Sequence, residues 1–191
     1  QGLEWAVECC WVHDEASLGE WLRELLDGSL GQVDLPVLAR LHAAAGTGDH
    51  AALERWSAHL LASRETRELR ADDCARGTAL ARLLPELGVP DVARWRQGDT
   101  PLATPLALAA SAWRLPVAPI AHVYAWSWLE NQVIAGVKLV PLGQSAGQRL
   151  LFALAERLPA AIARGLALGD DDIGGTVPAL AIASSRHETQ Y

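Results

Sequence analysis

With 191 residues, half of them hydrophobic and a fifth charged, the chain has material for one well-packed domain and too little polarity for a disordered one. Its net charge of -7 and pI near 5.3 count against a general nucleic-acid or anionic-membrane binder, because nothing offsets phosphate repulsion. Leu and Ala greatly outnumber Val and Ile, which favours helices over sheets.

In chain order, Leu3, Ala6, Val7, Cys10 and Trp11 repeat at helical spacing. Leu18, Trp21, Leu22, Leu25 and Leu26 form a second stripe, and Gly28 and Gly31 are expected to break it. Asp34 reads as the N-cap of a third helix, with Pro36 in its first turn and Leu35, Leu38 and Leu41 facing inward. Gly46-Thr47-Gly48 ends that helix. Leu53, Trp56, Leu60 and Leu61 mark a fourth, expected to run on through the charged segment Ser63–Arg70. Ala79 to Leu84 is helical until Pro85 kinks or stops it, and Gly88 to Thr100 is a linker or long surface loop. Thr104-Pro105 reads as N-cap and first helical residue of a helix that lasts to Leu115.

The next stretch is a helix opened by Pro119 and closed by Pro141. On it Tyr124, Ser127, Asn131 and Lys138 form one polar stripe, roughly 20 Å long at 1.5 Å per residue, on an otherwise apolar rod. An internal polar network, a catalytic site and a partner surface are the three ways to account for it. A helix over Gln144 to Leu168, bent at Pro159, precedes an Asp170-Asp171-Asp172 turn, and Pro178 starts the last helix. No alternating strand of convincing length occurs. The expected fold is a single-domain, all-α helical bundle of about eight to ten helices over residues 1–191, with no significant sheet.

Gly143-Gln144-Ser145-Ala146-Gly147 matches the serine-hydrolase elbow G-x-S-x-G, and Asp172 and His187 follow in hydrolase order. The motif has meaning only between a strand and a helix, so a small serine hydrolase using Ser145, Asp172 and His187 is the weaker alternative. Cys9 and His13, at i and i+4, could ligate one metal ion together on a helix, the basis of a metal-binding alternative. Free cysteines on an apolar face are more often simply buried, so no metal ligand is assigned. The odd number of cysteines offers no disulfide framework and suits a reducing compartment. No secretory leader is seen, and Met is absent, so the native start lies outside this sequence. The longest uncharged apolar run, Leu115 to Leu129, is too short and too interrupted by Pro116, Pro119 and His122 to span a bilayer. Arg64, Arg67 and Arg70, interleaved with Glu65 and Glu68, fit a solvated helix face or a partner-binding ridge equally well.

Seven segments, in order, resemble the urease accessory protein F family: residues 1–8 (QGLEWAVE), 34–36 (DLP), 64–70 (RETRELR), 126–130 (WSWLE), 138–144 (KLVPLGQ), 170–174 (DDDIG) and 183–191 (ASSRHETQY). The resemblance covers essentially the whole chain. It implies an all-α, cytoplasmic, non-enzymatic homodimer without a cofactor. Such a protein binds the accessory protein D (H in some species), recruits and regulates the GTPase accessory protein G, and helps deliver nickel to apo-urease. The family's N-terminal Leu-Pro-x-Gly-Gly segment and its short C-terminal tail, which hold the D-type partner, are missing here. Cys9-Cys10 stands where small residues such as Ala-Gly are usual. Lys138, the one lysine beside fifteen arginines, matches the family's K-x-V-P-x-G-Q lysine and is the first candidate for partner contact. Its other possible role is an internal pair with Glu130. Glu4, Arg67, Arg70, Gln144, Arg186 and Tyr191 are further candidates for the partner surface.

Overall fold

A computed structural model describes residues 2–90 and 92–187, and side chains to residue 186. Ten α-helical segments occur among the described residues: α1 (Leu3–Glu8), α2 (Glu15–Leu25), α3 (Leu35–Thr47), α4 (His50–Ala62), α5 (Arg67–Leu83), α6 (Ala103–Ala112), α7 (Val117–Leu139), α8 (Gln144–Ala155), α9 (Leu158–Ala167) and α10 (Pro178–His187). No strand is present among them, and the all-α class holds.

Sequence chemistry sets most boundaries. Asp14 and Ser17 form a reciprocal capping box at the start of α2, with Ser17 N–H donating to Asp14 Oδ1 at 2.8 Å. Gly48, at φ 70°, closes α3 in the left-handed region that glycine enters at least cost. Asp49 caps α4 through the Ala52 N–H at 2.9 Å. Pro159 sits in the first turn of α9, so the expected bent helix is two helices, α8 and α9. Around fully buried Leu35, Leu38 and Leu41, α3 forms the axis of the bundle, with α4, α6, α7 and α9 packed on it.

Several local expectations fail for tertiary reasons. Gly28 and Gly31 do not break the chain: residues Leu26–Asp34 continue as wide i→i+5 turns straight into α3. The glycine at 28 serves close approach instead, since a Cβ there would stand 2.7 Å from Val177 Cγ2. Thr104 is not a cap; α6 starts at Ala103, and the buried Thr104 hydroxyl pairs with Ser57 at 2.6 Å. The loop over 88–100 is no free linker, because Val89, Val92 and Trp95 are buried. The first helix stops at Glu8, so Cys9, Cys10 and Trp11 turn into solvent instead of extending the buried stripe. Finally, α4 ends at Ala62 and α5 begins only after Thr66, whose extended backbone and hydroxyl cap the Leu69 N–H. That break frees Arg64 from both helices.

Candidate functional site

Arg64 reaches from the α4–α5 turn into the bundle and bridges two aspartates. Its Nη1 and Nη2 donate to the two oxygens of Asp34 at 3.1 and 2.7 Å. Its Nε and Nη2 donate to Asp73 Oδ2 at 2.9 and 2.7 Å. Tyr124, from α7, donates its hydroxyl to Asp34 Oδ1 at 2.7 Å. The Leu102 N–H, just before α6, donates to the free oxygen of Asp73 at 2.9 Å. The side chains of Arg64, Asp34 and Asp73 are only 12%, 6% and 1% exposed, so five chain segments converge on one buried polar hub. Charges buried this deeply persist only when paired and hydrogen-bonded, and here nearly every lone pair and proton is used.

Asp34 is therefore corrected from helix cap to hub member: its backbone is helical and its side chain caps nothing. Burial alone would pull the Arg64 guanidinium down, but the carboxylates of Asp34 and Asp73 override it and hold it well above its ordinary range. Burial, reinforced by the Asp34 charge, pushes the Tyr124 phenol well above its usual value near 10. The native protein thus holds that proton more tightly than the unfolded chain does. Its contribution is complete below pH 10 or so and declines as pH rises beyond it. Tyr124→Phe is expected to show a shallower alkaline loss of melting temperature than the parent chain, at a cost of about 1–2 kcal/mol at neutral pH. Matched thermal melts between pH 8 and 11 would check this.

Beside the hub lies a cavity of about 440 Å³, walled by apolar side chains and by Ser29, Ser63, Glu65, Arg76, Ser127 and Asn131. The polar stripe expected on α7 is thereby divided. Tyr124 belongs to the buried network, Ser127 and Asn131 face the cavity, and Lys138 stands exposed in the last turn of the helix. Lys138 carries no ion pair among the described residues, and Glu130 is not its partner. It borders a smaller groove of about 110 Å³ between α7 and α8, together with Gln144, Gln148, Val133, Ile134 and Val137. Gly147 makes the α7–α8 approach possible, since a Cβ there would meet Val137 Cγ2 at 2.5 Å.

The sequence profile described as UreF matches residues 12–155 of this chain. The chain belongs to the UreF family. The curated "Urease accessory protein UreF" of Alkalilimnicola ehrlichii is 50% identical over the whole of this chain and 84% of its own length. Those of Pseudomonas putida (strain W619) and Alcanivorax borkumensis are 50% and 48% identical, again over the whole chain and 86% of their own lengths.

Within this member of the UreF family, the candidate partner residues stand on several elements. Lys138 and Gln144 share the α7–α8 groove. Glu4 is half-buried in the first turn of α1, and Arg67 and Arg70 are exposed on α5, where Arg70 pairs with Asp99 at 3.0 Å. Arg186 is exposed near the end of α10, and Tyr191 lies outside the described residues. Ser145 stands exposed in the first turn of α8, which follows another helix and not a strand, and Asp172 lies in a separate short turn. The His187 side chain is outside the described set. The elbow geometry that would activate Ser145 needs a strand–turn–helix, so the match is a helix start with small residues.

The hub was missed because its members look ordinary in sequence. Asp34 before Leu-Pro imitates a cap, and Arg64 opens a solvated charge run. One signal was available: Leu69, Asp73, Gly77 and Ala81 repeat at i+4 on the buried face of α5, with a carboxylate among them.

Proposed function

We propose that this protein is a scaffold for urease maturation, acting in the cytoplasm without catalytic chemistry of its own. It binds the D-type (H-type) accessory protein, recruits the G-type GTPase and regulates it, so that nickel reaches apo-urease only in the assembled complex. The observation that carries this reading is the identity of about half of all residues, across the entire chain, to proteins named urease accessory protein UreF. The local chemistry agrees with a partner surface at Lys138: an exposed ammonium without a carboxylate of its own, beside two glutamines and an apolar groove floor, suits an acidic side chain from another protein.

Pull-down of urease accessory proteins D and G with the full-length protein tests the assignment, and failure of both to co-elute removes it. Lys138→Ala is expected to lower urease activation and G-protein capture about tenfold or more while changing the melting temperature by under about 2 °C. A drop in melting temperature with intact capture would make Lys138 structural.

Homodimerisation, also part of this proposal, has a suitable surface. Val123, Trp126 and Ile134 lie exposed along α7 at 54%, 40% and 48%, and Trp113 and Leu115 add to them from the preceding turn. Large apolar groups exposed along one helix favour burial against a matching face. Trp126→Asp is expected to convert a dimer to monomer in light-scattering mass measurements, leaving helicity unchanged.

A further inference from the structure

The wide i→i+5 turns of Leu26–Asp34 are a rare geometry that in other proteins frequently stands at functional sites. Here they carry Ser29, Leu30 and Asp34 to the wall of the cavity of about 440 Å³ beside the hub, where Arg76 of α5 and Ser127 and Asn131 of α7 join them. That volume lies within the roughly 300–1,000 Å³ of small-molecule pockets. Glu65, Ser127 and Asn131 are exposed as well as lining it, so the cavity is reached from solvent.

The polar groups on its wall have hydrogen-bonding capacity to spare. Arg76 bonds to Asp72 through Nη2 at 3.1 Å, while its Nε is buried and has no hydrogen-bond partner among the described residues. A buried donor left unmade is costly, so this N–H calls for an acceptor. Asn131 donates its Nδ2 to the Ser127 carbonyl at 2.8 Å, which leaves Oδ1 as an acceptor. The hydroxyls of Ser29 and Ser127 bond to no other described residue and can donate or accept. The charges, by contrast, are already answered. Arg64 pairs with Asp34 and Asp73, Asp72 pairs with Arg76, and the Glu65 carboxylate accepts from the Thr176 hydroxyl. Three carboxylates and two guanidiniums on the wall disfavour an anion, and an organic cation has no lone pair to offer Arg76 Nε.

We propose that this cavity binds a small uncharged molecule with an amide head and an apolar body. The carbonyl oxygen accepts from Arg76 Nε, the amide N–H donates to Asn131 Oδ1 or a serine hydroxyl, and the body lies against Leu30, Leu69 and Trp128. Contacts to α5, α7 and the wide turns at once make the bound molecule a tie between elements that the hub already joins. Binding to the folded state alone then raises the melting temperature. The site shares no residue with the Lys138 groove.

The experiment is a ligand-detected NMR titration of the full-length protein with benzamide, benzoate and benzamidine, probes of one shape and different charge, and with toluene as the apolar reference. Benzamide is expected to bind saturably, at least about fivefold more tightly than either charged probe, and to raise the melting temperature. Arg76→Met is expected to weaken benzamide about tenfold and to leave toluene unchanged, which separates a lost donor from a collapsed cavity. Ala79→Trp, at an exposed position on the cavity wall, should abolish binding of both while helicity is retained, and Lys138→Ala should leave both intact. No saturable benzamide binding, equal or tighter binding of a charged probe, or loss of benzamide in Lys138→Ala overturns the site. Parental benzamide affinity in Arg76→Met, or an equal loss of toluene there, overturns the role given to the guanidinium.

Discussion

Arg64→Ala is expected to destabilise the protein by about 3–5 kcal/mol. The loss comes less from the missing attraction than from what stays behind. Asp34 and Asp73, 6% and 1% exposed, would be left in the core with no cation to answer them. Denaturant unfolding followed by circular dichroism measures the effect. A cost below about 1 kcal/mol, the range of surface ion pairs, would show that the hub does not hold the fold together. A double-mutant cycle sharpens the test. Asp34→Ala added to Arg64→Ala should cost much less than the sum of the two, because the second change removes one of the stranded charges. Arg64→Lys should recover only part of the loss, since an ammonium has three donors from one atom and cannot reproduce the four bonds of the planar guanidinium fork.

Gly77→Ala is expected to cost about 3 kcal/mol, although it adds a single methyl group. A Cβ at position 77 would lie 2.0 Å from the Thr100 carbonyl oxygen and 2.6 Å from the Pro101 carbonyl carbon, both backbone atoms that cannot swing aside. The segment before α6 would have to lift off α5, taking the Leu102–Asp73 hydrogen bond with it. Gly46→Ala is the matched control. It lies within α3, its Cβ would meet nothing within 4 Å, and it is expected to stabilise by about 0.5–1 kcal/mol through lower backbone entropy in the unfolded chain. Equal melting temperatures for the two variants would contradict the close packing of α5.

Periodic features carried over from sequence to structure where one face of one element decides them. The Leu35, Leu38, Leu41 stripe became the axis of the core, and the helix between Pro119 and Pro141 became α7. Failures occurred where a locally plausible signal competed with a distant partner. Asp34 has the sequence setting of a cap, yet a guanidinium thirty residues further on recruits its carboxylate. Gly28 and Gly31 look like breakers, yet the helix passes through both. Cysteine's usual preference for the interior misplaced Cys9 and Cys10, because the helix that would have buried them ends at Glu8. For the candidate site, the family motif picked out Lys138 and Gln144, and the turn at Pro141–Gly143 brings them to one groove. Arg67, Arg70 and Arg186 lie on other elements, and no periodicity in the chain reports which elements meet.

The hub also governs how the molecule opens. Tyr124 of α7 is bonded to Asp34 ahead of α3, and Arg64 ties Asp34 to Asp73 of α5, so none of α3, α5 and α7 can detach without breaking a bond to the hub. These helices should exchange their slowest amide hydrogens with one shared free energy, as a single cooperative unit. The Leu102 amide reports on it most directly. It stands outside regular helix, where amides ordinarily exchange fast, but its hydrogen is held by Asp73 and should exchange as slowly as the core.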